Sequence, residues 1–139
     1  MTEADLPAVL RLDREAFGAD RGALLRSALA SSPALAWYRE EAGALAGYCF
    51  GRSGDHSEHI GPVVARRLEA ASALVSMALT SAAGRAVIVD ASTSPPEWLA
   101  FLEQRGLRAQ RPFTRMCRGE ARPPGRPELQ FAIRGPEFG

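Results

Sequence analysis

The feature that most constrains the fold is an apolar segment that ends on two arginines and leads directly into an amphipathic segment. Residues 60–65 are apolar, and Arg66 and Arg67 follow them. In the next three helical turns, apolar residues recur at spacings of three and four, at Leu68, Ala71, Leu74, Val75, Ala78 and Leu79. Such spacing places one apolar stripe on a helix. We therefore predict a strand near 59–65 followed by a helix over 68–79 that packs on a sheet, as in α/β proteins.

The junction between this strand and this helix can bind an anion. The first N–H groups of a helix and the positive end of its dipole attract negative charge, and Arg66 and Arg67 add two guanidinium groups. Glu69 acts in the opposite direction, because its carboxylate competes with phosphate and itself stabilises the helix end by about 0.3–1 kcal/mol. Two interpretations stay open: a phosphate-binding loop, or a helix start stabilised by Glu69 with both arginines solvated.

The sequence on either side of the junction predicts further helices and strands. Together they form one α/β domain, residues 1–139. With 46% hydrophobic residues, the chain can build a single core. Periodicity, caps and breakers predict the remaining elements. In chain order these are helices at 5–17 and 20–31, strands at 35–39 and 44–52, a buried parallel strand at 86–90, a helix capped by Ser94, and strands at 107–116 and 129–133.

Composition bears on the compartment in which the protein is found and on the state of its cysteines. No segment approaches the roughly 20 apolar residues of a membrane span, and the N-terminus does not have the basic and then apolar pattern of a signal sequence. We therefore expect a cytoplasmic protein without membrane contact. Cys49 and Cys117 lie in predicted strands without metal-ligand spacing or a partner histidine, so we expect buried free thiols and no metal.

The basic residues are all arginine, and seven of them crowd residues 105–126. A basic cluster can bind nucleic acid when aromatic side chains interleave with it. Here only Phe113 does so, two of the arginines lie in a Pro-rich segment, and the net charge is only +1. We do not expect nucleic-acid binding.

The junction resembles the acyl-CoA loop of the GCN5-related N-acetyltransferases (GNAT proteins). That loop carries Gln or Arg, two residues, Gly, one residue, Gly or Ala, and then aliphatic residues. The corresponding positions here are Arg66, Glu69, Ala71, Leu74 and Val75. Glu69 departs from the pattern, since the family has a glycine that lets backbone approach the pyrophosphate. The order of predicted elements also matches the family, except that the first strand is missing.

The resemblance is closest to the second half of two-domain GNAT-like proteins. These carry Phe-Gly-Ala-Asp-Arg, Gly-Tyr, Ile-Gly-Pro-Val-Val-Ala and Thr-Arg-Met in this order. The same motifs stand here at Phe17–Arg21, Gly47–Tyr48, Ile60–Ala65 and Thr114–Met116. The resemblance implies a mixed, splayed sheet flanked by helices. The missing first strand would leave an edge of this sheet unpaired, so we expect the chain to form a homodimer or to pair with a second GNAT-like domain.

The resemblance also implies where a co-substrate, acetyl-CoA or a related acyl-CoA, would bind. In the family, the strand before the loop meets the thioester oxygen through its backbone, and Pro62 has no N–H to contribute. The implied cofactor-binding residues are Val63, Val64, Ala65, Arg66, Arg67, Glu69 and Ala71. The usual acid of the family is a tyrosine, and Leu102 stands at its position.

Candidates for the base that deprotonates the amine lie near the strand ends. Glu58 and His59 are adjacent on a predicted strand, so they point to opposite faces and only one can reach an acceptor. Asp90 follows the next strand, where ligands of α/β proteins bind, although it can equally cap a turn. The alternative is that residues 55–59 form a solvated loop.

The resemblance implies an acyl-CoA-dependent N-acetyltransferase that transfers an acetyl group to an unidentified primary amine, a small molecule. The alternative is a catalytically degenerate GNAT-like binding or interaction module, which Glu69 and Leu102 favour.

Overall fold

The structure is a computed structural model that describes residues 1–114, 116 and 124–138. In it, one five-stranded sheet lies between two layers of helices. The helices are α1 (Leu6–Phe17), α2 (Gly22–Ser31), α3 (Leu68–Ser81) and α4 (Pro96–Gln104). The strands are β1 (Trp37–Glu41), β2 (Ala44–Ser53), β3 (Ser57–Ala65), β4 (Ala86–Ala91) and β5 (Gln130–Ile133). Short 3₁₀ helices lie at Glu3–Asp5, Pro33–Leu35, Pro127–Leu129 and Pro136–Phe138.

The sheet is mixed and it splays. Strands β1, β2 and β3 are antiparallel neighbours, whereas β3 and β4 run parallel from the pair Ser57–Ala86 to the pair Ile60–Val89. Beyond these pairs β3 and β4 separate, and β5 runs antiparallel to both. The mixed, splayed sheet that the sequence predicts is confirmed, and the described chain enters two helices before its first strand.

Alternation along the strands divides the core between the two faces of the sheet. Tyr48 and Phe50 of β2 pack with α1 and α2, while Cys49, which lies between them, packs with α3 and α4. The helix predicted from apolar spacing is α3, and Ala71, Leu74, Val75 and Ala78 of its stripe are buried. Burial raises the pKa of the Cys49 thiol to about 12 and makes it the buried free thiol that was expected.

Two of the sequence motifs meet in a buried polar network beneath α1. The Arg21 Nε donates to an Asp13 carboxylate oxygen at 3.2 Å, and the Tyr48 hydroxyl donates to the same carboxylate. The Asp13 side chain is only 1% exposed, so both partners compensate a charge that would be costly to bury alone. The guanidinium of Arg21 also lies 3.8 Å from the centre of the Phe17 ring. The Phe17–Arg21 and Gly47–Tyr48 motifs therefore stabilise the fold.

The predicted strand at 107–116 is wrong for the part of it that the structure describes. Residues 107–114 and 116 are in no strand. Pro112 has no N–H for a ladder, and Gln110, Arg111 and Thr114 near it are polar, so the segment has little to contribute to a sheet. Arg115 and Cys117 lie outside the described residues.

Two predictions near β4 also need correction. One face of this strand is open, because Ile88 is 49% exposed while Val87 and Val89 pack on the α3–α4 side. A helix layer covers only the other face, so β4 is not the fully buried strand that its apolar composition predicts. Ser94 does not cap α4, because the helix begins at Pro96 with Pro95 at the N-cap position and has no side-chain cap hydrogen bond. In the described part of the chain, no helix is long and apolar enough to cross a membrane.

Candidate functional site

The C-terminal half of β3, where the resemblance places an acyl-CoA thioester, lies inside the sheet. Val63, Val64 and Ala65 are completely buried. All three pair with β2 on one side, and Val63 and Val64 pair with β5 on the other. The backbone of Val63 and Val64 therefore has a paired strand on both edges.

Strand β5 is firmly anchored in the gap between β3 and β4. The Phe131 carbonyl oxygen accepts from the Trp98 Nε1 at 2.8 Å and from the Ser92 N–H at 2.9 Å. The Phe131 ring meets the Trp98 ring edge to face, with 5.3 Å between their centres. A Cβ at Gly61 would lie 2.0 Å from the Ile133 carbonyl oxygen, so the glycine of the Ile60–Ala65 motif is what lets β5 approach β3. The gap is thus filled by a strand that belongs to the core.

The two arginines at the start of α3 are exposed, and both bind carboxylates of this chain. Arg66 pairs with Glu15 at 3.1 Å, and Arg67 pairs with Glu41. A hydrogen bond from Arg66 lowers the pKa of Glu15, and hydrogen bonds from Arg39 and then Arg67 lower the pKa of Glu41. Glu69 lies exposed in the first turn of α3. A phosphate at this helix end would have to compete with three carboxylates.

Ala71, the other loop residue implied by the resemblance, is buried in α3. Its N–H donates to the Arg67 carbonyl oxygen at 3.2 Å, so it belongs to the hydrogen-bonded part of the helix. The structure thus brings Arg66, Arg67 and Glu69 together at the helix start and places Ala71 behind them. The roles of these residues in cofactor binding stay predictions.

The two adjacent base candidates lie on opposite faces of β3. The Glu58 carboxylate pairs with Arg85 at 2.6 Å and is 8% exposed. His59 faces the other way, toward a cavity of about 560 Å³ between the ends of β2, β3 and β4. This cavity is lined by Arg52, His59, Ile88, Asp90, Arg111 and Phe113, among others.

His59 and Asp90 form a buried pair in the wall of this cavity. The His59 Nε2 lies 3.0 Å from an Asp90 carboxylate oxygen, and the two side chains are 7% and 13% exposed. Burial lowers the pKa of His59, although Asp90 opposes that shift, so the ring is neutral at pH 7. A neutral ring beside a carboxylate donates from Nε2, which leaves the lone pair on Nδ1. Nδ1 is enclosed and has no partner among the residues that the structure describes.

The sequence of the chain also matches a known protein family. A model of the acetyltransferase (GNAT) domain family matches residues 9–132, which is most of the chain. The chain belongs to the GNAT acetyltransferase family. The resemblance puts Glu69 at the position of the loop glycine and Leu102 at that of the usual acid, which stay predictions; Leu102 is buried in the core, 5% exposed.

Solved structures with the same fold include TTHA1254 of Thermus thermophilus. Its wild type is 19% identical with a TM-score of 0.64, and a point mutant of it is 20% identical with the same score. Each match covers 88% of this chain and 96% of that one. A candidate acetyltransferase from Agrobacterium tumefaciens is 18% identical with a TM-score of 0.54, covering 85% and 96%. At these identities the likeness shows the fold alone. No curated protein matches the chain.

Sequence reasoning found His59 and Asp90 separately but not as a pair. Strand alternation could have paired them once the register was known. In the parallel register His59 lies beside Ile88, and Asp90, two residues further along β4, points to the same face as Ile88. Arg52 and Arg111 were missed. They reach the cavity from a strand end and from a segment without regular structure, for which periodicity has no signal.

Proposed function

We propose that this GNAT domain transfers an acyl group from acetyl-CoA, or a related acyl-CoA, to a primary amine bound in the cavity beside β4. The observation that carries the proposal is the buried His59–Asp90 pair in the cavity wall. Membership of the family supports acyl transfer as the reaction class.

In this proposal, Asp90 and His59 handle the proton of the acceptor. The amine arrives as an ammonium ion, which donates to the Asp90 carboxylate. One proton passes to the Asp90 carboxylate, because the His59 Nε2 already carries the proton that it donates to Asp90 and the His59 Nδ1 is enclosed; His59 holds that carboxylate in place. The neutral amine is then nucleophilic. Leu102 cannot protonate the departing group, so we expect turnover to be slow.

The acyl-donor side fits less well. The edge of β3 at Val63 and Val64 is occupied by β5, and Arg66 and Arg67 are paired with carboxylates. A donor that lies along β3 must displace β5, which is a second reason to expect slow turnover.

The test is acetyl transfer from acetyl-CoA to a panel of primary amines, followed by mass spectrometry of the product. We expect His59→Gln and Asp90→Asn to lower kcat/KM by about 10²- to 10⁴-fold, the usual contribution of a positioned base. His56→Gln is the matched control, because it makes the same change at an exposed histidine in the turn before β3. A loss with Glu58→Gln instead would move the base to the other face of β3. An unchanged rate in the His59 and Asp90 variants would refute the proposal.

A second candidate is a non-catalytic GNAT-fold binding module. The observation that favours it is that β5 is anchored along Val63 and Val64 of β3, where the resemblance places the thioester of acyl-CoA. Calorimetry with acetyl-CoA separates the two candidates. If the loop receives the donor, Glu69→Gly should tighten binding, at a helix cost of about 1 kcal/mol, and a further Arg66→Ala change should cancel much of the gain. Absence of both binding and transfer would favour the binding module.

A further inference from the structure

The cavity beside β4 is lined by two arginines, Arg52 and Arg111, and by two carboxylates, Asp90 and Glu137. Arg52 is compensated by Glu137, whose carboxylate lies 3.3 Å away. Arg111 also lines the cavity, and its guanidinium has no carboxylate partner among the residues that the structure describes. It lies 4.9 Å from the centre of the Phe113 ring. An anionic group on a ligand would find an uncompensated guanidinium there.

Another arginine, Arg134, lies close enough to Arg52 and Glu137 of the cavity lining to interact with their charges. Arg134 is 8% exposed, and its Nε and one terminal nitrogen have no hydrogen-bond partner in the described part of the chain. Burial lowers the pKa of Arg134, and the neighbouring Arg52 lowers it further, so the positive charges are close enough to repel. A ligand carboxylate near them would relieve that repulsion.

The opposite charge lies on β4. Asp90 uses one carboxylate oxygen for His59, and its side chain still reaches the cavity. A ligand ammonium can bind at that carboxylate while a carboxylate of the same ligand binds at Arg111.

Apolar surface completes the cavity. Ile88 and Phe113 are 49% and 47% exposed, and both line it. Large apolar side chains that are half exposed and line a cavity are suited to contact an apolar ligand group. The volume of about 560 Å³ lies within the range of small-molecule sites, roughly 300–1,000 Å³.

We propose that the cavity binds a free amino acid with an apolar side chain, its ammonium at Asp90, its carboxylate at Arg111 and its side chain against Ile88 and Phe113. That this amino acid is the acyl acceptor rests on the proposed function. Its binding does not, and it is measured separately.

The experiment compares three ligands that share one apolar body. L-Phenylalanine has both charged groups, 2-phenylethylamine lacks the carboxylate, and 3-phenylpropanoate lacks the amine. Calorimetry at pH 7 and one salt concentration should give a Kd for L-phenylalanine at least tenfold lower than for either analogue. Equal affinity for L-phenylalanine and 2-phenylethylamine, or binding of none of the three, overturns the proposal.

Two variants assign the charged ends. Arg111→Gln should abolish the preference for L-phenylalanine over 2-phenylethylamine and leave the amine's affinity unchanged. Asp90→Asn should abolish the preference over 3-phenylpropanoate. Arg108→Gln is the control, because Arg108 is an exposed arginine outside the cavity lining, and it should change nothing. Equal weakening of all three ligands by Arg111→Gln contradicts the assignment.

The outcomes separate this inference from the proposed function. Binding of L-phenylalanine without any acetyl transfer supports the inference and counts against acyl transfer. Transfer to 2-phenylethylamine with the same kcat/KM as to L-phenylalanine supports acyl transfer and overturns the inference.

Discussion

The two halves of β3 have opposite surroundings. Residues 57–60 lie beside β4, and His59 borders an open, charged cavity there. Residues 63–65 lie between β2 and β5 and have no solvent exposure. The half that the resemblance assigns to acyl-CoA is thus part of the core, whereas the half that carries the base candidates is accessible. A motif can thus keep its position in a strand while a neighbouring strand covers the edge of that strand.

We call residues 57–60 of β3 the open half and residues 63–65 the closed half. The largest expected effect is the low reactivity of Cys49, which lies opposite Val63 of the closed half. Burial raises its thiol pKa from 9.0 to about 12, so at pH 8 its thiolate fraction is roughly a thousandfold smaller than that of a free cysteine. In a Cys117→Ser background, we expect labelling by a thiol reagent at least about 10³-fold slower in the folded protein than in urea. Rapid labelling of the folded protein would mean that this half opens readily.

Gly61→Ala should open the closed half at a large cost in stability. The new Cβ would lie 2.0 Å from the Ile133 carbonyl oxygen, so β5 must move. We expect a loss of about 3 kcal/mol in the free energy of unfolding, at the upper end of overpacking effects, measured by urea denaturation. Gly43→Ala is the control, because its Cβ would meet nothing within 4 Å and only the backbone cost, about 1 kcal/mol, applies. Equal losses would show that β5 does not constrain Gly61.

Trp98→Phe should loosen β5 with a smaller loss. It removes the donor to the Phe131 carbonyl oxygen, which keeps the Ser92 N–H, together with part of a fully buried ring. We expect about 1–3 kcal/mol from the lost hydrogen bond and packing, and a gain in acetyl-CoA affinity. Trp37→Phe is the matched control, because the Trp37 Nε1 has no partner in the part of the chain that the structure describes. Urea denaturation and calorimetry would check both results, and no difference between the variants would contradict the anchoring role.

The smallest expected effect concerns pH and the open half. The folded pKa of His59 lies below its unfolded value of about 6.5, with Asp90, Arg52 and Glu137 as its charged neighbours. Between the two pKa values the unfolded chain binds more protons, so this part of the stability is present above about pH 6.5 and is lost as the pH falls. His59→Gln should weaken the loss of stability between pH 7 and pH 5, and His56→Gln should leave it unchanged. A pH dependence identical in all three proteins would show that His59 is not its source.

Much of the fold follows from local pattern. The spacing from Leu68 to Leu79 predicts α3, and the break at Gly18 ends α1 as expected. Alternation also separates Glu58 from His59 onto two faces. These predictions hold because each depends on residues close together in the chain, where one period decides which side is buried.

The rest depends on contacts between distant segments. The sequence predicts a strand near 129–133, but not that Ala132 lies beside Val63 in the gap. The same limit applies to Glu15, which binds Arg66 and Arg126 from two distant segments. The cavity was missed for this reason, since Arg111 comes from a segment without regular structure and joins His59 only in the folded chain.

The last turn of α1 is completed by residues far along the chain. The Ala16 carbonyl oxygen accepts from the Arg126 N–H at 2.9 Å and from the Gln130 side chain at 2.7 Å. A ribosome adds roughly 5–20 residues per second, so β5 and this contact form several seconds after β4 has been made. During that interval β3 and β4 have exposed edges in their gap, which other chains can pair with. Synthesis rate between β4 and β5 should therefore influence how much of the protein aggregates before it folds.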